Sequence, residues 1–294
     1  MSVSPRLRYT REVLRLMLTV PDACMTHAGV FHADDVFASA LLRLLNPQVS
    51  IRRVRELPEE FCGLAFDIGG GEFDHHQRGS KKRPDGVSYS SFGLLWKCFG
   101  SRLLDEEGAR IFDEEFVRPI DIADSSGTFN SLSRCVSDFN PIRVVDDDEY
   151  DRRFAEASSW AQGVLERRLS ILRAEHEDAL YVRRLMDAGD GRVLVLPEFR
   201  RWRRAVVGSG YEFVIYPSLR GGFNVQGVPR SSSGPELVRA FPPSWRGMSP
   251  DDLRKLLGIE DLAFCHATGF LCATKTLAGA RAAARLAMRG EEGT

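Results

Sequence analysis

Ala23-Cys24-Met25-Thr26-His27-Ala28-Gly29-Val30-Phe31-His32-Ala33-Asp34-Asp35-Val36-Phe37 is the stretch on which the fold turns. Ala23 to Thr26 is a short apolar run cut off by His27 and Gly29, which predicts a buried strand. Asp34 and Asp35 then open a helix, where the positive end of the helix dipole favours carboxylates. Val36, Phe37, Ala40, Leu41, Leu44 and Leu45 recur at helical spacing, and Asn46-Pro47 closes the helix. Ser50 to Val54 and Leu64 to Ile68 predict two further strands. Strands alternating with helices at this spacing predict an α/β fold built on a doubly wound parallel sheet. Ligand groups in such sheets collect just beyond the carboxyl ends of the strands. Thr26-His27 and Asp67-Ile68-Gly69 fall there.

Further along, Gly79 to Ser91 is polar and predicts a loop. Phe92 to Phe99 predicts a short helix, and Glu107 to Ile122 another, interrupted at Pro119. Tyr150 to Met186 is helical in pattern, highly charged and free of proline, as expected of a connector. After Gly189 the pattern changes: Val193 to Leu196, Glu212 to Tyr216, Phe223 to Val228 and Leu262 to His266 predict strands, and Ser249 to Leu257 and Thr276 to Met288 predict helices. The expected organisation is a metal-binding catalytic domain over residues 1–149, a helical connector over 150–188, and a smaller α/β substrate-binding domain over 189–294.

The 294 residues are enough for two domains of ordinary size, and 43% apolar with 28% charged residues is typical of a globular protein. No run approaches the roughly eighteen apolar residues of a membrane span, so no membrane partner is expected. A formal net charge of −1 supplies no global field for nucleic acid, so any polyanion must meet a local basic patch. The six cysteines stand singly, without a CxxC pair, which reads as free thiols in a reducing compartment rather than thiolate-held zinc. Residues 1–20 carry Arg6, Arg8, Arg11 and Arg15 against Glu12. A leading helix and a cytoplasmic location are the first reading, and a mitochondrial transit segment the second.

The chemistry concentrates early. Four of the six histidines, His27, His32, His75 and His76, are interleaved with Asp34, Asp35, Asp67 and Asp74, and Asp121 and Asp124 follow. Oxygen and imidazole donors without thiolate suit manganese or magnesium. Two carboxylates about 4 Å apart repel by roughly 4 kcal/mol at an effective dielectric of about 20, so several converging acids call for a cation. Two divalent ions would offset that charge and could activate water against a phosphorus centre. Each residue taken singly has a plainer explanation, as helix-capping acids, structural histidines or a strand-to-turn ending; it is their joint recurrence after three predicted elements that points to metal.

Asp74-His75-His76 after a strand ending in Asp67 resembles the motif of the DHH phosphoesterase superfamily. More closely, Thr26 to Asp35, Asp67-Ile68-Gly69-Gly70, Phe73-Asp74-His75-His76-Gln77-Arg78, Ser90-Ser91-Phe92-Gly93-Leu94 and Asp121-Ile122-Ala123-Asp124 are similar to signatures of the MYG family, named for a melanocyte-proliferating gene. Pro243-Ser244-Trp245-Arg246-Gly247 and His266-Ala267-Thr268-Gly269-Phe270 resemble its C-terminal signatures, so the likeness runs from about residue 23 to 288. It implies a DHH-type catalytic domain joined to a smaller domain, with the active site between them. It further implies that His27, His32 and Asp34 ligate metals, that Asp67 bridges them, and that His75 with Asp121 or Asp124 completes the second site. His76 would face the substrate, with Asp74 orienting a histidine. Family members are described as exonucleases acting on RNA. Two departures accompany the match: the segment between Gly70 and Asp74 is short, and Leu271-Cys272-Ala273-Thr274-Lys275 stands where a Gly-Gly-His-like run is common.

Three features are candidates for holding a polyanion: Phe199-Arg200-Arg201-Trp202-Arg203-Arg204, with a Trp able to stack on a base; Arg78, Lys81, Lys82 and Arg83 after the DHH motif; and Arg230 beside Ser231-Ser232-Ser233. His266 and Gly269 join Arg78, Lys81, Lys82 and Arg230 as expected substrate contacts. Gly69-Gly70-Gly71 lacks the spacing of a dinucleotide fingerprint and reads as a tight turn. The leading reading is a metal-dependent phosphodiester hydrolase, a 3′-to-5′ exonuclease on RNA or short oligonucleotides, with manganese ahead of magnesium. A hydrolase of small phosphorylated molecules and a non-catalytic metal- or nucleotide-binding regulator stay open, and a homodimer is compatible with each.

Overall fold

The structure is a computed structural model that describes residues 20–128, 130–143, 145–187, 191–232 and 234–289. The readings placed on residues 1–19 and on the 188–189 junction lie outside the described residues. The chain divides into two compact units, Met1–Arg173 and Ala174–Thr294.

In the first unit β1 (Ala23–His27) is the middle strand of a parallel sheet, with β2 (Ser50–Val54) and β3 (Leu64–Ala65) on its two sides. Helix α1 (Ala33–Leu45) follows β1 across a short loop, and its residues from Ala33 to Leu42 are all buried. The predicted third strand is cut short. It ends at Ala65, Phe66 only bridges to Phe73, and Asp67 takes φ 57°, a left-handed conformation that ends a ladder. Aspartate tolerates that region better than most residues, and Gly69 and Gly70 follow it at φ 85° and 67°.

Helix α2 (Ser91–Phe99) is capped by Ser90, and a 3-10 turn (Gly100–Arg102) leads on to α3 (Glu106–Phe112). A π-helical turn (Asp113–Val117) then joins α3 to α4 (Arg118–Ser126). The predicted interruption at Pro119 is corrected to this π turn. Proline cannot donate the hydrogen bond of an α-helix, and the widened turn just before it absorbs the defect. Helix α5 (Ser131–Ser137) was not foreseen; Asn130 caps it by accepting from Ser133 N at 2.8 Å. Helix α6 (Asp147–Met186) is continuous, and the division between units falls within it. Phe37 of α1 ties these layers together, with ring centroids 5.7 Å from Phe92, 5.4 Å from Phe116 and 6.1 Å from Trp160.

The second unit is a mixed five-stranded sheet in the order β4-β5-β6-β8-β7, where β4 is Val193–Val195, β5 Phe213–Pro217, β6 Phe223–Gly227, β7 Leu262–Cys265 and β8 Leu271–Thr274. Only β4 and β5 run parallel. A short α7 (Arg203–Val206) precedes β5, α8 (Pro250–Leu257) precedes β7, and α9 (Leu277–Arg289) closes the unit. Strand β8 occupies the run read as a departure from a glycine-rich signature. Its small residues give a weak strand signal, yet Cys272 and Thr274 alternate into the core. Among the described residues no disulfide links the cysteines, and no helix is long and apolar enough to cross a membrane.

Candidate metal centre

The centre is assembled in the first unit from elements that start or end beside the carboxyl edge of the parallel sheet. His27 ends β1, Asp34 and Asp35 open α1, and Asp67 follows β3. The loop between His27 and α1 is clamped from two sides. Arg53 Nη2 donates to Gly29 O at 2.6 Å, and Asn140 donates to Phe31 O at 2.9 Å while accepting from Phe31 N at 3.1 Å. Asp35 Oδ1 accepts from His32 N at 2.9 Å, closing the first turn of α1 and leaving Oδ2 to face inward.

Two groups of donors meet at Asp67. His27 Nε2 lies 3.1 Å from Asp35 Oδ2 and 3.2 Å from Asp67 Oδ2. On the other side, His75 Nε2 lies 3.0 Å from Asp67 Oδ1 and 3.4 Å from Asp34 Oδ2, and its Nδ1 lies 3.5 Å from Asp124 Oδ2. The sets His27–Asp35–Asp67, Asp34–His75–Asp124 and Asp67–His75–His76 each bring one ligand atom per residue within 4.8 Å of the others. Asp67 thus turns one oxygen to each side.

The donor set fits a hard divalent cation. Asp34 Oδ1, Asp35 Oδ2 and Asp67 Oδ1 are buried without a hydrogen-bond donor, and the groups nearest Asp35 Oδ2 and Asp67 Oδ1 are the imidazoles of His27 and His75. Buried carboxylate oxygens without a partner are costly unless a cation meets them. Protonation of the imidazoles would offset the same charge. Burial disfavours the charged form of His27, but Asp35 and Asp67 outweigh it and push its pKa up to about 11. His75 is likewise pushed up to about 11 against its burial, by Asp34 and Asp67 first. Burial and neighbouring carboxylates raise Asp124 and Asp35, whereas contacts with His27 and His75 overcome burial at Asp67 and hold it well below the carboxylate range.

The DHH residues divide their tasks. Asp74 is buried and accepts from Gly70 N at 2.7 Å through Oδ2 and from His76 N at 3.0 Å through Oδ1. Its Oδ1 also lies 2.9 Å from His76 Nδ1, so the His76 ring, 63% exposed, is oriented with Nε2 outward. His75 is turned into the centre instead. The glycine turn that the sequence suggests is what lets Gly70 N reach back to Asp74.

Other expected residues stand apart. His32 is exposed beside His27, with ring centroids 6.3 Å apart, and is absent from the three donor sets. Asp121 is fully buried but already engaged: Oδ1 accepts from Ser90 Oγ at 2.6 Å and Oδ2 from Arg83 Nε at 2.7 Å. Asp124, one turn later, is the acid that reaches His75. Arg78, Lys81 and Lys82 are exposed after the motif, with Lys81 paired to Glu72 at 3.1 Å, whereas Arg83 is buried. Asp35 belongs to a donor set although the resemblance assigned it no role; its adjacency to Asp34 was the available signal. Ser91, whose Oγ donates to Asp34 Oδ2 at 2.9 Å, lies in the Ser90-Ser91-Phe92-Gly93-Leu94 signature but was assigned no role.

Arg230, His266 and Gly269 belong to the second unit. Arg230 is exposed, with its N–H donating to Glu236 O at 2.8 Å. His266 Nδ1 accepts from Thr268 N at 3.1 Å, and Gly269 takes φ 73° where a Cβ would lie 2.5 Å from Arg246 Nε. The basic run 200–204 is in part spent on its own unit, while Arg201 and Arg203 are exposed. Trp202 is buried, Arg200 pairs with Glu198 and with Asp178 at 3.2 Å, and Arg204 pairs with Glu175 at 3.1 Å.

Comparison with known proteins agrees with the motifs. The chain is 29% identical over 327 residues to "MYG1 exonuclease" of Homo sapiens, covering 92% of this chain and 87% of the human protein. It is 29% identical to the "MYG1 exonuclease" of Rattus norvegicus, covering 91% of this chain and 85% of that protein, and 26% identical to a "MYG1 protein" of Saccharomyces cerevisiae, covering 85% and 91%. No solved structure matches the chain. The family model MYG1_exonuc, described as an uncharacterised protein family (UPF0160), matches residues 23–288, and the protein belongs to that family.

Proposed function

We propose that this protein is a metal-dependent phosphodiester hydrolase of DHH type, a 3′-to-5′ exonuclease on RNA or short oligonucleotides that uses two divalent ions, manganese ahead of magnesium. The observation that carries the reading is the sharing of Asp67 between two donor groups in which buried carboxylate oxygens lack hydrogen bonds. The relatives named as exonucleases support the reaction class. A bound cation pair would supply charge against phosphate oxygens and lower the pKa of neighbouring water.

His27 and Asp35 would hold one ion and Asp34, His75 and Asp124 the other, with Asp67 between. Asp74 fixes the His76 ring so that its outward Nε2 can meet a phosphate or leaving-group oxygen and exchange a proton there. Arg78 and Lys82, exposed directly after the motif, are placed to offset further phosphates.

A second reading, hydrolysis of a small phosphorylated molecule, is favoured by one observation. In the basic run at 200–204, one of the candidates for holding a polyanion, Trp202 is buried and Arg200 and Arg204 are engaged in internal pairs. A 5′-labelled RNA twelve-mer and a dinucleotide, each incubated with manganese, magnesium or chelator, separate the two. A metal-dependent ladder from the twelve-mer supports the exonuclease and reports its direction. Cleavage of the dinucleotide alone moves the substrate to small molecules, and silence on both with metal bound sinks the hydrolase reading in favour of a regulator. The Asp34→Ala, Asp67→Ala double variant is expected to lose metal-dependent turnover by at least about 1000-fold while staying folded. Unchanged turnover in it would remove the metal centre from the reaction.

A further inference from the structure

The segment after the DHH motif carries four basic residues, and one of them behaves unlike the rest. Arg78, Lys81 and Lys82 face solvent, whereas the Arg83 side chain is 5% exposed. Its guanidinium makes two bonds to Asp113, Nη1 to Oδ2 at 2.5 Å and Nη2 to Oδ1 at 2.9 Å. It also grips Asp121 Oδ2 through Nε at 2.7 Å and Nη2 at 2.6 Å, and lies over the Tyr89 ring at 4.6 Å. A guanidinium buried this fully is tolerated only when its donors are met, and the planar fork suits two carboxylates at once.

The two carboxylates can share it because of the π turn. Asp113 and Asp121 are eight positions apart, which in an unbroken α-helix puts them about 80° apart around the axis. The extra residue of the π turn takes out about one residue's rotation, roughly 100°, and returns both acids to nearly the same face. Asp121 is then seated from the other side by Ser90 N and Oγ at 3.1 and 2.6 Å. Gly93 leaves the room for it: a Cβ there would stand 2.4 Å from Asp121 Oδ1.

Asp124 rides on the same helix one turn beyond Asp121 and meets His75 Nδ1 at 3.5 Å. Ser91, next to Ser90 on the opening turn of α2, donates through Oγ to Asp34 Oδ2 at 2.9 Å. Fixing Asp121 therefore bears on Asp124 and Asp34, two members of the Asp34–His75–Asp124 set. The His27–Asp35–Asp67 set is held elsewhere, by β1, the capping bond within α1 and the turn after β3.

We propose that Arg83 is a positioning residue that, through Asp121, sets Asp124 for the second ion and has no direct contact with metal or substrate. The proposal rests on the two-ion reading above and adds that the two ion sites depend unequally on this latch. It also assigns Gly93 a purpose, to keep the Asp121 seat open.

The test is manganese binding to the full chain, followed by calorimetry and by the electron paramagnetic resonance signature of a coupled ion pair. Wild type, Arg83→Met, Arg83→Lys and Gly93→Ala are compared, with circular dichroism to establish that each is folded. The expected result is one manganese bound as in wild type and the second weakened at least tenfold in both Arg83→Met and Gly93→Ala, with loss of the pair signature. Arg83→Lys should recover part of the second affinity. Gly93→Ala keeps every charge, so it decides the matter if Arg83→Met does not fold. Two manganese ions bound with unchanged affinity in a folded variant would overturn the latch, and so would an equal weakening of both ions, which marks general destabilisation. If wild type itself binds no ion pair, the two-ion reading fails and takes the latch with it.

Discussion

Two acid clusters sit in the first unit, built from the same residue types and completed in opposite ways. In one, Asp113 and Asp121 close around Arg83, and the guanidinium and Ser90 satisfy the oxygens of both carboxylates. In the other, Asp34, Asp35, Asp67 and Asp124 face the two imidazoles of His27 and His75, and three of their buried oxygens accept no hydrogen bond. A covalently attached cation makes the first cluster a fixture whose charge is always present. The second is left short of positive charge, the condition under which an exchangeable divalent ion binds. Both clusters contain buried aspartates, so the presence of buried acids alone does not separate a structural ion-pair network from a metal centre. The unmatched oxygens do.

That contrast breaks if the two clusters respond alike to losing a carboxylate. Asp121→Ala strips the buried Arg83 of one of its partners and is expected to cost about 3–5 kcal/mol in urea denaturation. Asp67→Asn, by contrast, removes a carboxylate held ionised by His27 and His75 but leaves Asp34, Asp35 and Asp124 facing the same imidazoles, so without metal it is expected to cost less, about 1–3 kcal/mol. A large loss for Asp67→Asn without metal would show that its histidine pairs hold the fold together.

Metal addition sharpens the comparison next. Manganese at one hundred times its dissociation constant should raise unfolding stability by about 2.7 kcal/mol, and chelator should abolish the gain. Asp67→Asn should show no such gain in the same thermal melts. An equal rise in wild type and Asp67→Asn would place the ion outside this centre.

The pH dependence of metal binding also separates the two clusters. His27 and His75 hold their protons up to about 11 in the metal-free site, so a binding cation must expel them. Fewer free protons favour that exchange, and manganese affinity should rise with pH, by up to about tenfold per unit for each imidazole, roughly 1.4 kcal/mol. Calorimetric titrations between about pH 6 and 8 would measure it; an affinity flat across that range would mean the imidazoles are not ligands. Arg83, protonated throughout, gives the other cluster no such dependence.

Much of this was legible in the sequence because it is local. A short apolar run followed by His27 predicts a strand end, paired acids predict a helix start, and both lie at the edge of a parallel sheet where ligand groups gather. The glycines after Asp67 were readable as a turn, since φ values of 85° and 67° suit glycine above all. The end of β3 was less so: apolar residues run on to Ile68, and the left-handed backbone of Asp67 stops the strand before it. Strand β8 escaped because its small residues signal weakly, even though its partner β7 ends only six residues before it.

The residue types themselves determined that a cluster of oxygen and nitrogen donors exists, that thiolates take no part, and that the family signatures fall on it. Only the tertiary structure decided which members face one another. Asp121 and Asp124 look interchangeable in the sequence, and Arg83 looks like one more basic residue in an exposed run. A π turn shifts the phase of the helix, Arg83 is drawn inside to meet Asp121, and Asp124 is left to face His75. Side-chain direction after such a turn depends on a hydrogen-bond register set by packing, and composition and spacing do not encode it.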